Sequence, residues 1–189
     1  MGNSKIFINR ELSWLEFDAR VLGEAADAGN PLFERLKFLS ITASNLDEFF
    51  MVRVASLKDM VNAGYTKKDI AGMTAKEQLE ALDEKTHTFV KRQYKIYNEE
   101  LVPALGAAGF HIVGSHEALS EEQKSFVDKY FHEDVYPVLT PMAVDSSRPF
   151  PLIRNKTLNI AALLKKKNSK DDETEFATVQ VPSVLPRFV

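Results

Sequence analysis

Apolar positions recur at helical spacing over roughly the first hundred residues and alternate late in the chain. Trp14, Phe17, Val21 and Ala25 fall three or four apart, with Leu15 and Leu22 widening the stripe, and this predicts an amphipathic helix. Ser13-Trp14-Leu15-Glu16 reads as its capping box, in which Ser13 and Glu16 each satisfy an orphan backbone donor. Asp27-Ala28-Gly29-Asn30-Pro31 ends that helix, and Asn30 followed by Pro31 suits the start of a second through Leu32, Leu36 and Leu39. A polar break is expected at Thr42-Ala43-Ser44-Asn45. A third helix then carries Leu46, Phe49, Phe50, Val52, Val54 and Leu57 toward Gly64. Apolar positions nearly surround it, so it is expected to be central. After a loop over 65–73 containing Lys67 and Lys68, Thr74-Ala75-Lys76-Glu77 forms another capping box. It opens a long helix through Leu79, Leu82, Phe89, Tyr97 and Leu101, which Pro103 should kink or restart by removing a backbone donor.

Beyond about residue 106 the character changes. Residues 110–113 form a short strand candidate, and Ser120 with Gln123 caps a helix carrying Phe126, Val127, Tyr130 and Phe131. A Pro-rich crossing occupies 136–151. Leu158, Ile160, Ala162 and Leu164 then alternate like a strand, 165–174 makes a turn, and Phe176, Thr178 and Val181 suit a partner strand. A lone hairpin is marginal in water, so this second domain reads as incomplete. The expected fold class is α+β: an all-α helical domain over 1–106, then the N-terminal part of an α/β domain with a β-hairpin over 107–189.

Composition narrows the function. Hydrophobic residues make up 44% and charged residues 27% of 189, the balance of a globular chain with a core. With 24 basic against 27 acidic residues the net charge is -3, which argues against a general nucleic-acid binder but leaves a local anion site open. The chain has no Cys, which excludes disulfides, thiolate metal sites and a Cys nucleophile. Residues 1–10 have no apolar core of signal-peptide length, and no run approaches a membrane span. A cytoplasmic location is the plain reading, and peripheral membrane association is compatible with it.

Chemistry is sparse. His132-Glu133 begins like a zinc-protease motif, but Tyr136 stands where the second His ligand belongs, and His87, His111 and His116 have no partner at ligand spacing. No Gly-rich phosphate loop and no nucleophile elbow occur. Neither a catalytic residue nor a metal ligand is assigned. Lys165-Lys166-Lys167 reads as a solvated hairpin end. Asp47 and Glu48 are neighbours pointing about 100° apart on a helix, better placed to meet a helix dipole than to share a proton or metal. Arg35 and Arg53 could face an anionic chain or pair with Glu34 or Glu48. Asn45, in the expected break, admits two compatible readings. It can cap the third helix with Glu48 as third-position partner, or its amide can recognise a polar ring edge.

Ile8-Asn9-Arg10-Glu11-Leu12-Ser13-Trp14-Leu15-Glu16-Phe17, then Asn30-Pro31-Leu32, Glu34-Arg35-Leu36-Lys37-Phe38-Leu39 and the run from Ser44-Asn45-Leu46-Asp47-Glu48 to Arg53-Val54 closely resemble the N-terminal domain of bacterial polyphosphate kinases of the histidine-phosphorylating type. Tyr136-Pro137-Val138-Leu139-Thr140-Pro141, Ala143-Val144-Asp145 and Pro149-Phe150-Pro151 resemble the start of that family's head domain. The resemblance implies reversible transfer of the terminal phosphoryl group of ATP to polyphosphate, with magnesium and through a phosphohistidine. It further implies a reacting His in C-terminal domains absent here, a nucleotide contact at Asn45, and head-domain contacts in a homo-oligomer. The isolated chain is expected to be inactive. The alternative, from a different class, is a helical adaptor or dimerisation module without a ligand.

Overall fold

The computed structural model describes residues 6–144, 150–165 and 174–189, in two compact units. Asp145, Pro149 and most of the turn expected over 165–174 lie outside the described residues. The fold is α+β, as expected: mostly helical, with a small three-stranded antiparallel sheet.

In the first unit, through Ile112, helix α1 spans Arg10–Ala26, α2 Leu32–Phe49, α3 Ala55–Asn62, α4 Ala75–Lys95 and α5 Val102–Ala107. The sequence-predicted cap at Ser13 is not used. Asn9 caps α1 instead, its Oδ1 accepting from the Leu12 N–H at 3.0 Å. Asn9 wins because its amide also donates to Asp69 Oδ2 at 2.7 Å, tying the helix start to the distant 65–73 loop. Asn30 does not cap α2; its side chain closes the end of α1 by donating to the Glu24 carbonyl at 2.9 Å. At Thr74 the capping box forms as read, with Thr74 and Glu77 satisfying each other's backbone donors.

The polar break expected at 42–45 does not exist: α2 runs straight through it. Its polar side chains are satisfied inside the unit, so nothing forces the helix to end. Thr42 Oγ1 donates to the Leu39 carbonyl at 2.8 Å and accepts from Gln93 at 3.1 Å, while Asn45 reaches Asp18. Asp47 and Glu48 consequently close α2 rather than open a helix, and the dipole role expected for them is lost.

Between α2 and α3 the helix widens into a π turn over Phe50–Val54, and a second π turn, Ile96–Leu101, joins α4 to α5 just before Pro103. Each wide turn adds one residue per turn and rotates the next helical segment about the axis. Phe49 and Val54, five apart, are thereby both buried, as are Ile96 and Leu101. A straight α-helix would hold such pairs about 140° apart. Two apolar clusters result. Leu15, Phe49, Val54, Leu57, Ala75 and Leu82 form one, and Leu22, Ala25, Leu39, Phe89, Ile96 and Leu101 the other. The segment expected to be apolar all round is buried on one side only: Phe50 and Val52 stay exposed.

In the second unit Ser120 and Gln123 cap α6, Glu121–Tyr130, as expected. Residues 110–113, which end the first unit and begin the second, pair with no strand among the described residues, and Phe110, Ile112 and Val113 are exposed. The sheet has the order β1-β3-β2, with β1 at Thr140–Val144, β2 at Leu158–Lys165 and β3 at Thr174–Val181. The β2–β3 hairpin was legible, with Leu158 opposite Val181 and Lys165 opposite Thr174. β1 was not, because it lies in the Pro-rich crossing. It contains Pro141 and pairs on one side only, with Thr140 opposite Gln180, where a missing N–H is tolerated.

Candidate functional site: the Asn45 cleft

Asn45 sits half-buried on α2, and its Nδ2 donates to Asp18 Oδ1 on α1 at 2.9 Å. Asp18 is completely buried, and its Oδ2 has no hydrogen-bond partner. Burial pushes the Asp18 carboxyl above the usual aspartate range, and the bond from Asn45 opposes that shift. The amide is therefore anchored from behind through one N–H. Its second N–H and its carbonyl oxygen make no hydrogen bond among the described residues, so it can still present a donor and an acceptor side by side.

What lies in front is a cleft of about 450 Å³, lined by Arg10, Glu11, Trp14, Asn45, Glu48, Phe49, Val52 and Arg53. Trp14 and Phe49 stack almost parallel, with centroids 4.4 Å apart, and stiffen one wall. Glu11 is buried and accepts from two guanidinium groups. Arg10 reaches its Oε1 through Nε at 3.1 Å and Nη2 at 2.8 Å, and Arg53, delivered by the π turn, contacts both of its oxygens. Arg53 thus pairs with neither of the partners expected for it. Arg35 does not either: it binds Glu100 at 2.7 Å and the Ala25 carbonyl at 2.8 Å, away from the cleft, while Glu34 pairs with Lys37.

The capping role weighed for Asn45 falls with the break that required it. Nothing local in the sequence marks Asp18 or Glu11 as lining partners of the cleft, since Asp18 meets Asn45 through packing of α1 on α2 and Glu11 meets Arg53 through the π turn; Arg10 joins them as the sequence neighbour of Glu11. No histidine lines the cleft. His87 Nδ1 lies 2.8 Å from the Asp83 carbonyl, His116 Nε2 lies 3.0 Å from Asp128, and His132 lies against Phe131 and Tyr136. Among the described residues no three His, Asp or Glu side chains are grouped to hold a metal ion, and no helix is long and apolar enough to cross a membrane. Of the lysine run at 165–167, only Lys165, at the end of β2, is described.

A helical unit followed by a small antiparallel sheet matches the leading domains of a family of kinases. The chain belongs to the polyphosphate kinase family: residues 7–113 match its N-terminal domain and residues 122–189 its middle domain. A polyphosphate kinase of Lactiplantibacillus plantarum is 55% identical over 183 residues, which cover 97% of this chain and 25% of that protein. The polyphosphate kinase of Halalkalibacterium halodurans is 53% identical over 190 residues, covering all of this chain and 27% of the relative. The crystal structure of polyphosphate kinase from Porphyromonas gingivalis superposes with a TM-score of 0.82 at 34% identity, over 97% of this chain and 26% of that one. The chain therefore spans about a quarter of the length of the relatives it matches.

Proposed function

We propose that this chain supplies the adenine-side contact of a polyphosphate kinase, with Asn45 as the contacting residue. The parent reaction is the reversible transfer of the ATP terminal phosphoryl group to polyphosphate, through a phosphohistidine held in domains beyond these residues. The observation that carries the reading is the anchored amide. One N–H of Asn45 is committed to a buried carboxylate, which restrains the rotamer of a residue that lines a walled cleft and has a donor and an acceptor left over. A purine edge asks for such a donor–acceptor pair. Magnesium would arrive with the nucleotide phosphates. The full enzyme is proposed to be a homo-oligomer through its head domain, and the isolated chain to be catalytically inactive.

An amide-resolved NMR titration with Mg-ATP tests the assignment. Saturable shifts are expected around residues 42–50, with affinity on the order of millimolar, about -4 kcal/mol, for adenine contacts alone. Asn45→Ser should abolish them. Asp18→Asn should preserve them, because its side-chain oxygen can still accept from Asn45. Shifts unaffected by Asn45→Ser would remove Asn45 from the site.

A further inference from the structure

The Asp18–Asn45 bond lies in a polar layer between the two apolar clusters of the first unit. On α1, Asp18 stands between Leu15 of one cluster and Leu22 of the other. On α2, Thr42 and Asn45 fall between Leu39 and Phe49, and on α4 Thr86 falls between Leu82 and Phe89. Donors are scarce in this layer. Thr42 is engaged by the Leu39 carbonyl and by Gln93, and the Thr86 hydroxyl is buried without a partner. Among the described residues no cation pairs with Asp18, and the side-chain hydrogen bond it accepts comes from Asn45.

We infer that Asp18 is a specificity-determining positioning residue: by holding Asn45 in one of its two amide orientations, it makes the site select adenine over guanine. The inference rests on Asn45 contacting the base, as proposed above.

A side-chain amide has two orientations of nearly the same shape, related by a half-turn that exchanges its oxygen and nitrogen. Beside Asp18 they are unequal. With Nδ2 toward Asp18, the buried carboxylate receives its donor at 2.9 Å. With the amide oxygen there instead, two acceptors would face each other away from water, and both Asp18 oxygens would lack a partner. The half-turn is thereby suppressed, and the free oxygen and the remaining N–H of Asn45 keep a fixed order. Adenine offers an amino donor next to a ring-nitrogen acceptor. The corresponding edge of guanine offers a carbonyl acceptor next to a ring N–H donor, the same pair in reverse. A freely turning amide serves either base, whereas a locked amide serves one. Turning the guanine over instead would carry its ribose to the opposite side of the cleft whose wall Trp14 and Phe49 stiffen.

Amide-resolved NMR titrations of the 189-residue chain with Mg-ATP and, in parallel, Mg-GTP test the inference, in neutral to mildly alkaline buffer. The two nucleotides share ribose and triphosphate, so the ratio of their affinities isolates the base. The parent is expected to prefer ATP by about tenfold or more, the discrimination of a bidentate contact against the wrong base. Asp18→Asn keeps the shape of the side chain and can either accept from Asn45 or donate to it, so both orientations become available. ATP affinity should then fall by no more than about twofold, since the competent orientation is still populated about half the time. GTP affinity should rise until the two lie within about twofold of each other. Asp18→Leu, which offers neither donor nor acceptor, should relax the ratio as well. Thr42→Val removes a buried hydrogen bond one turn away without touching Asn45, and should leave the ratio unchanged. Thermal melts verify the fold of each variant. A parent that does not discriminate, an unaltered ratio in Asp18→Asn, or an equal relaxation in Thr42→Val would overturn the inference. Asn45 would remain the contact in those cases, provided Asn45→Ser abolishes the shifts. Shifts indifferent to Asn45→Ser, or none with either nucleotide, would remove the contact and the inference together.

Discussion

Asn45 Nδ2 donates to Asp18 Oδ1 at 2.9 Å, supporting a carboxylate whose other oxygen is buried without a partner. The dependence is mutual. Asp18 fixes the orientation of the amide, while the amide in turn compensates the burial of Asp18.

Replacement of Asn45 should therefore cost stability as well as binding. Asn45→Leu takes from Asp18 the side-chain donor it has, and a loss of about 1–3 kcal/mol is expected, the penalty for a buried polar group deprived of its partner. Urea denaturation measures it. A variant as stable as the parent would show that water reaches Asp18 and that the amide is not its support.

Asp18 also sets a pH dependence. Burial raises its pKa, so the folded chain keeps the proton to a higher pH than the unfolded chain does. The stability this provides is complete below the ordinary aspartate value and is lost as pH rises through the folded pKa. Asp18→Asn cannot ionise and should remove that decline, giving a chain more stable than the parent at neutral pH. Denaturation midpoints of the two proteins across that range, converging toward acid, are the expected signature. Glu77 has the opposite sign. Hydrogen bonds from the Thr74 backbone first and its hydroxyl second hold its carboxyl below the usual range, so its contribution disappears as pH falls.

The start of α1 discriminates two caps. Asn9→Ala should cost about 1–2 kcal/mol, because it removes the helix cap and the link to Asp69 together. Ser13→Ala, at an exposed position inside the helix, should change stability by less than about 0.5 kcal/mol. Thermal melts of the pair would rank them, and the reverse ranking would restore Ser13 as the cap.

The π turn at Phe50–Val54 makes a prediction about chain length. Deleting the exposed Val52 should convert it to an ordinary α turn, keeping Phe49 and the residue now four positions on, the former Val54, on one buried face. Deleting Ser44 from α2 has no surplus residue to absorb and should rotate Leu39 and Phe49 about 100° out of register. Cooperative melting retained in the first deletion and lost in the second is the expected result.

Which of these features were legible in the sequence depends on how far each group reaches. Thr74–Glu77 and Ser120–Gln123 close within three residues, so their pattern was sufficient. Ser13–Glu16 has the same pattern and failed, because Asn9 is held by Asp69, 60 positions away. Thr42 and Asn45 looked like a break since their partners, Gln93 and Asp18, belong to other helices. The resemblance pointed to Asn45, whereas the Asp18–Asn45 and Glu11–Arg53 pairs depended on packing. The π turns left no mark in the apolar spacing: the buried residues are five apart at Phe49–Val54 and at Ile96–Leu101, but Phe50, Met51 and Val52 fill the first interval and Tyr97 stands in the second.

The sheet order β1-β3-β2 has a consequence for how the chain emerges during synthesis. Of these three strands the middle one is synthesised last, so neither β1 nor β2 has its neighbour in this sheet until Thr174–Val181 has appeared. The helical unit, translated first and built mainly from nearby contacts, can fold as it is made, whereas the sheet must wait and then close in one event. Until then Leu158, Ile160 and Leu164 remain on an unpaired apolar strand, an edge open to aggregation and to capture by chaperones.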